Sequence, residues 1–270
     1  AFYGCSDLER IVIPKNITDI AYNEDEHAEY TVFQGCSRLT EIIVEEGNGN
    51  YCSSDGMLYY TGLESGNSGT ILVCCPAVKQ GAVAVQEGVK FIQAQAFNGC
   101  DKITEIVMPK SITSIGEDDS SISNVFRDCI NLAEISVNEG NRLFSVREGM
   151  LYQGSILQFC PAGKQGNIMI PQDITDIAED AFSSCKGMTE ITVEKNNRVY
   201  ISLDGILYKK GEDAAPIGLI HCPAGKEGRI TVADGVQTIG AFAFKNCLGV
   251  KQIVMPDSIR SIGDGAFSGC

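Results

Sequence analysis

Tryptophan is absent from this chain of 270 residues, histidine occurs twice, and bases are outnumbered: 21 Lys+Arg face 35 Asp+Glu, a formal net charge of −14. Each shortage excludes something. No apolar run approaches the ~18–20 residues that a membrane-spanning helix requires, so no membrane insertion is expected of this segment. A surface this acidic repels phosphate, and no basic stripe with interleaved aromatics offsets it, which sets nucleic acid aside as a partner. Catalytic signatures are missing too. There is no G-x-S-x-G, no Walker-type phosphate loop, no C-x-x-C pair and no paired carboxylates outside loops. What the chain does have is 44% hydrophobic residues beside 21% charged ones, a globular balance that rules out intrinsic disorder. It also has 12 cysteines, too dilute for a disulfide scaffold and many for a plain globule.

Those cysteines mark a repeat, the pattern to seek before any other. Seven close a recurring phrase: Ala1-Phe-Tyr-Gly-Cys5, then Val32–Cys36, Ala96–Cys100, Val125–Cys129, Ala181–Cys185, Ala243–Cys247 and Ala266–Cys270. Three more open a second phrase, Cys75-Pro-Ala, Cys160-Pro-Ala and Cys222-Pro-Ala, leaving only Cys52 and Cys74 outside both. A third phrase, an apolar–x–apolar pair often closed by proline, sets the phase. Its second apolar residue falls at Ile13, Val44, Val85, Met108, Val137, Ile170, Val193, Val232 and Met255, in steps of 31, 41, 23, 29, 33, 23, 39 and 23 residues. The minimal unit is therefore 23 residues.

The alternating Ile/Val triplet makes a short strand with one buried face, and proline ends its ladder because it has no N–H to donate. The Ile-x-x-Ile spacing and the Ala-Phe phrase then turn the chain through the back of a coil. One such coil cannot bury its apolar face alone, but stacked coils can. The fold class expected is a β-rich repeat solenoid, a right-handed coil with one long parallel sheet, β-hairpin insertions and little helix. Phe2, Phe33, Phe97, Phe126, Phe182, Phe244 and Phe267 form its spine, with the phrase cysteines as a small-residue ladder beside it. The steps of 31 and 29 carry polar insertions at 23–30 and 117–124 that read as surface loops. The steps of 41, 33 and 39 carry Asp55-Gly56, Glu148-Gly149 and Asp204-Gly205 before an apolar–aromatic run, a hairpin signal because glycine accepts φ > 0. The Cys-Pro-Ala phrase follows as a second turn.

These phrases resemble the BspA-like leucine-rich repeats of bacterial cell-surface proteins, whose unit looks like L-x-x-I-x-I-P-x-x-[IV]-T-x-I-x-x-x-A-F-x-x-C. Residues 188–247, 250–270 and 103–115 follow it closely, as do the longer G-N-x-x-Y and C-P-A-G-K variants. The resemblance implies a secreted or cell-surface location, extracellular in either case, and a role in adhesion or other protein contacts. A single domain over 1–270, about nine coils long, is expected; it begins and ends inside the repeat, so a fragment of a longer chain is expected too.

Three readings of the cysteines stand side by side: free buried thiols, disulfides between adjacent coils or between Cys52 and Cys74, and, least compatible with a linear ladder, zinc or catalysis. His27 lies in the acidic loop and reads as solvated; His221 reads as an outward-facing hairpin residue. Lys79, Lys164 and Lys226 recur in the turn phrase and read as blunting an exposed edge. No catalytic, cofactor or metal site is assigned. The informative surface is the sheet face, where the residue before each strand's first buried apolar, and the one between the two, point outward. On it lie Arg10, Val12, Glu41, Ile43, Glu105, Val107, Glu134, Met169, Glu190 and Thr192, a candidate protein-binding face. The function expected is a non-catalytic protein–protein interaction or adhesion module. It would be monomeric, with a protein ligand from host or matrix; a structural spacer that presents another domain is the alternative.

Overall fold

The computed structural model describes residues 2–20, 32–62, 70–116 and 122–270. They fall into two compact units, Ala1–Val146 and Arg147–Cys270. The loop at 23–30, with His27, lies outside the described residues, as do positions 117–121 of the second polar insertion.

All nine expected strands form. In the first unit they are Arg10–Ile13, Glu41–Val44, Gln80–Ala84, Lys102–Met108 and Glu134–Val137; in the second, Gln165–Ile170, Gly187–Val193, Glu227–Thr231 and Gly249–Val254. Nine strands delimit eight steps of a β-solenoid. The strands pair in parallel with like residues in register, Ile11 beside Ile42, Ile106 beside Ile135, Ile168 beside Ile191 and Ile230 beside Ile253. Helix among the described residues amounts to one turn, Ile122–Val125, so the end of the expected 117–124 loop is helical.

The parallel sheet is not continuous. Its strands group as two, three, two and two, with a break at each of the steps that carries a hairpin. The reason is local. Asp55-Gly56 and Asp204-Gly205 have φ of 50° and 71° and of 51° and 71°, the doubly left-handed pair of a type I′ turn. That turn folds the first and third hairpins back against the preceding strand. Gly56 carbonyl accepts the Ile42 N–H and Gly205 carbonyl accepts the Ile191 N–H, both at 2.9 Å. Ser53 Oγ accepts the Val44 N–H at 3.1 Å, and Ser202 Oγ donates to the Ile191 carbonyl. Donors that a next parallel strand would have used are therefore taken by the hairpin.

The back of the coil holds a second set of strands that the Ile-x-x-Ile spacing did not announce. Thr70–Cys74, Val89–Ile92 and Ser114–Ile115 run in parallel in the first unit; Ile156–Phe159 with Asp176–Ile177, and Pro216–His221 with Thr238–Ile239 and Ser261–Ile262, do so in the second. The strand after each hairpin thus occupies the place that Ile-x-x-Ile takes in a minimal coil.

Between the two strand sets lies the core. Phe33, Phe97, Phe126, Phe182 and Phe244 are buried, and Phe2 and Phe267 partly so. The spine is made of stacked pairs, Phe2–Phe33, Phe97–Phe126 and Phe244–Phe267, with centroids 5.6, 5.8 and 5.4 Å apart. His221 corrects the expectation of an outward-facing residue: it is 4% exposed and tilts against Phe182 at 4.9 Å. Alternation from buried Leu219 places it inside, in the position that Phe159 fills in the preceding copy. Asparagines bind coil to coil. Asn197 Nδ2 donates to the carbonyls of Pro171 and Ile174 while its Oδ1 accepts from Val199 and Tyr200; Asn48 does the same in its copy, and Asn141 differs only in donating to the Lys110 carbonyl beside that of Ile112.

Candidate functional site

The outward columns of the sheet follow from strand alternation: with Ile11, Ile42, Ile106 and Ile191 facing inward, their neighbours face out. Register brings the residues together within each run of strands. Arg10 lies beside Glu41 and Val12 beside Ile43. Glu105 lies beside Glu134, and Val107 between Ala84 and Ser136. In the second unit Asn167 lies beside Glu190 and Met169 beside Thr192. The ten residues named from sequence therefore sit on the outward columns, but in three separate patches, because the hairpins interrupt the sheet. Exposure is graded. Val12 and Met169 are exposed, whereas Ile43, Val107, Val254 and Thr192 are only half exposed, being flanked by neighbouring strands or by a hairpin.

Charge differs from patch to patch. Arg10 Nε meets Glu41 Oε2 at 3.2 Å, so the first patch is paired. Glu105 and Glu134 are like charges on adjacent strands, an arrangement that costs a few tenths to about 1 kcal/mol unless something positive lies against it. The Ser136 hydroxyl, donating to Glu105 Oε1 at 3.0 Å, eases this without supplying charge. Opposite Glu190 across the ladder stands the neutral Asn167.

The third patch is walled. Glu190 and Thr192 on the strand, Glu194 and Lys195 in the turn after it, and Ser202 and Asp204 on the hairpin enclose an open cavity of about 570 Å³. Two of its charges are already used: Glu194 Oε2 accepts the Gln172 N–H at 2.6 Å, and Lys210 Nζ donates to the Asn197 carbonyl at 2.7 Å. Sequence reasoning missed the hairpin side of this wall. The signal was present in the recurrence of Ser-x-Asp-Gly as Ser53-Ser-Asp-Gly56 and Ser202-Leu-Asp-Gly205. The first of the turn lysines also meets a hairpin, at Asp55. Lys79 Nζ pairs with Asp55 Oδ2 at 2.5 Å with its side chain largely covered, so it ties the Cys-Pro-Ala turn to the hairpin tip rather than guarding an edge. Among the described residues no three His, Cys, Asp or Glu side chains converge as a metal site, and no helix is long and apolar enough to cross a membrane.

A family model for the BspA type leucine rich repeat region matches residues 1–67, 80–161, 155–203 and 226–270, in six copies. The chain belongs to that family. The stretches between matches, 68–79 and 204–225, fall on two of the hairpin-bearing steps, where the BspA-type pattern is lengthened. No curated protein sequence matches the chain. Solved structures with a similar fold include a leucine rich cell surface protein from Faecalibacterium prausnitzii, 21% identical over 96% of this chain and 58% of that one, with a TM-score of 0.48. A leucine-rich repeat protein from Eubacterium ventriosum is 20% identical over 82% of this chain and 63% of its own length, with a TM-score of 0.47. The pneumococcal vaccine antigen PcpA is 14% identical over 82% of this chain and 68% of its own, with a TM-score of 0.47. This BspA-type chain thus spans 58% and 63% of the first two.

Proposed function

We propose that the chain is a non-catalytic, monomeric binding module of a secreted or cell-surface protein, and that it serves adhesion by holding a protein ligand of host or matrix on its outward sheet face. The observation that supports this most directly is the patch at Glu105, Val107 and Glu134. There two like charges stand side by side next to a half-exposed apolar residue. A basic protein surface relieves that repulsion, which makes a positively charged ligand segment the natural complement. Membership of the BspA-type repeats, and the cell-surface description of one protein of similar fold, agree with this reading. Pull-down of the ligand by the 270-residue chain tests it. Alanine at Glu105, Val107, Glu134 and Glu190 together should weaken capture at least about tenfold, or ~1.4 kcal/mol, and raised salt should weaken capture by the unsubstituted chain. If every partner stays bound to the substituted chain, the face is idle and a spacer role takes its place.

A further inference from the structure

The cysteine ladder has two kinds of rung. At steps without a hairpin, Cys36, Cys129 and Cys270 donate their thiols to the carbonyls of Phe2, Phe97 and Phe244 at 3.1, 3.0 and 3.1 Å. At the three steps that follow a hairpin the acceptor belongs to another cysteine: the thiols of Cys100, Cys185 and Cys247 donate to the backbone carbonyls of Cys75, Cys160 and Cys222. In the same order, the later cysteine's Sγ lies 3.6, 3.2 and 3.5 Å from the earlier one's carbonyl oxygen. All six are buried. The members of every pair are 25 residues apart. A backbone bond clamps each junction beside the sulfurs, from the first cysteine's N–H to the carbonyl of Ala96, Ala181 or Ala243, at 2.8, 2.9 and 2.7 Å.

We propose that Cys75–Cys100, Cys160–Cys185 and Cys222–Cys247 are three oxidisable dithiol sites. Each closes to a disulfide that staples a hairpin-bearing coil to the next, with a small-molecule disulfide such as oxidised glutathione as co-reactant. One cysteine, as its thiolate, attacks a sulfur of the co-reactant and expels one glutathione thiolate. The neighbouring thiolate then attacks the protein sulfur of that mixed disulfide and expels the second. Two protein thiols are oxidised, the co-reactant is reduced to two thiols, and the two protons end on those leaving groups. Burial governs the rate. Cys100, Cys185 and Cys222 are held well above the ordinary thiol pKa by the hydrogen bond to their partner and by desolvation, so exchange proceeds through local opening of the ladder.

The test equilibrates the purified 270-residue protein with oxidised and reduced glutathione, followed by acid quench, alkylation and peptide mapping without reduction. The expected map joins 75 to 100, 160 to 185 and 222 to 247, with Cys36 and Cys129 still alkylated. Oxidation should raise the thermal midpoint, and dithiothreitol should reverse the rise. The proposal is overturned if these six cysteines alkylate as readily as Cys36 and Cys129, or if bridges from Cys100 to Cys129 or from Cys247 to Cys270 form as often. Cys160→Ser and Cys222→Ser should each remove only their own bridge. Where a variant folds poorly, the map of the unsubstituted protein decides alone.

Discussion

The copies place Cys74, Phe159 and His221 at one equivalent position before the Cys-Pro phrase, and only the histidine brings a titratable ring into the core. Its Nε2 has no hydrogen-bond partner among the described residues, and desolvation lowers its pKa from 6.5 to about 3. The sign of the linkage follows. Between 6.5 and about 3 the unfolded chain takes up a proton that the folded chain refuses, so the full stability present above 6.5 declines as pH falls, until the folded ring also titrates. That slope approaches ~1.4 kcal/mol per pH unit. His221→Phe puts the ring of Phe159 in the same slot. It should raise stability at pH 7 by about 1 kcal/mol and remove this slope, leaving the carboxylate contribution. Urea denaturation of both proteins at pH 7 and pH 5 checks it, and equal pH sensitivity would contradict it.

The hairpin is the element that changes how the sheet is read. Repeat length, strand positions and the Asp-Gly turns were all visible as letters, because each is set by local alternation or by φ > 0 chemistry. That the hairpin tip packs on the preceding strand was not visible, since the bond from Ile42 to Gly56 joins groups whose neighbourhood is fixed only when the coil closes. For the same reason the ten face residues could be named, while their division into three patches and the wall at Ser202 and Asp204 could not. Two glycines separate backbone strain from contact. Gly205 and Gly228 have φ of +71° and +74°; a Cβ on Gly205 would lie 2.8 Å from Glu190 Cγ and 2.9 Å from Lys226 Nζ, whereas one on Gly228 would meet nothing within 4 Å. Gly228→Ala should cost the left-handed penalty alone, about 1–2 kcal/mol, and Gly205→Ala roughly 1 kcal/mol more. Matching urea midpoints for the two variants would mean that Glu190 and Lys226 move aside freely.

Within each unit the strands pair coil with next coil, so stability is largely a sum of coil and junction contributions rather than one indivisible quantity. A lesion should therefore stay near its origin. Phe244 is fully buried against Phe267, and Phe244→Ala should remove about 3–5 kcal/mol locally. Hydrogen exchange should speed up across strands 227–231 and 249–254 while strands 102–108 and 134–137 keep their protection. Uniform loss over all nine strands would show a single cooperative block instead. The hairpins that follow the first and third runs of parallel strands bear on how the repeat can be lengthened. Because the tips of the first and third hairpins take the edge donors of Ile42 and Ile191, a 23-residue coil added before either hairpin should leave that margin covered. Coil number ahead of such a hairpin is thereby open to change at little cost to the ladder on either side.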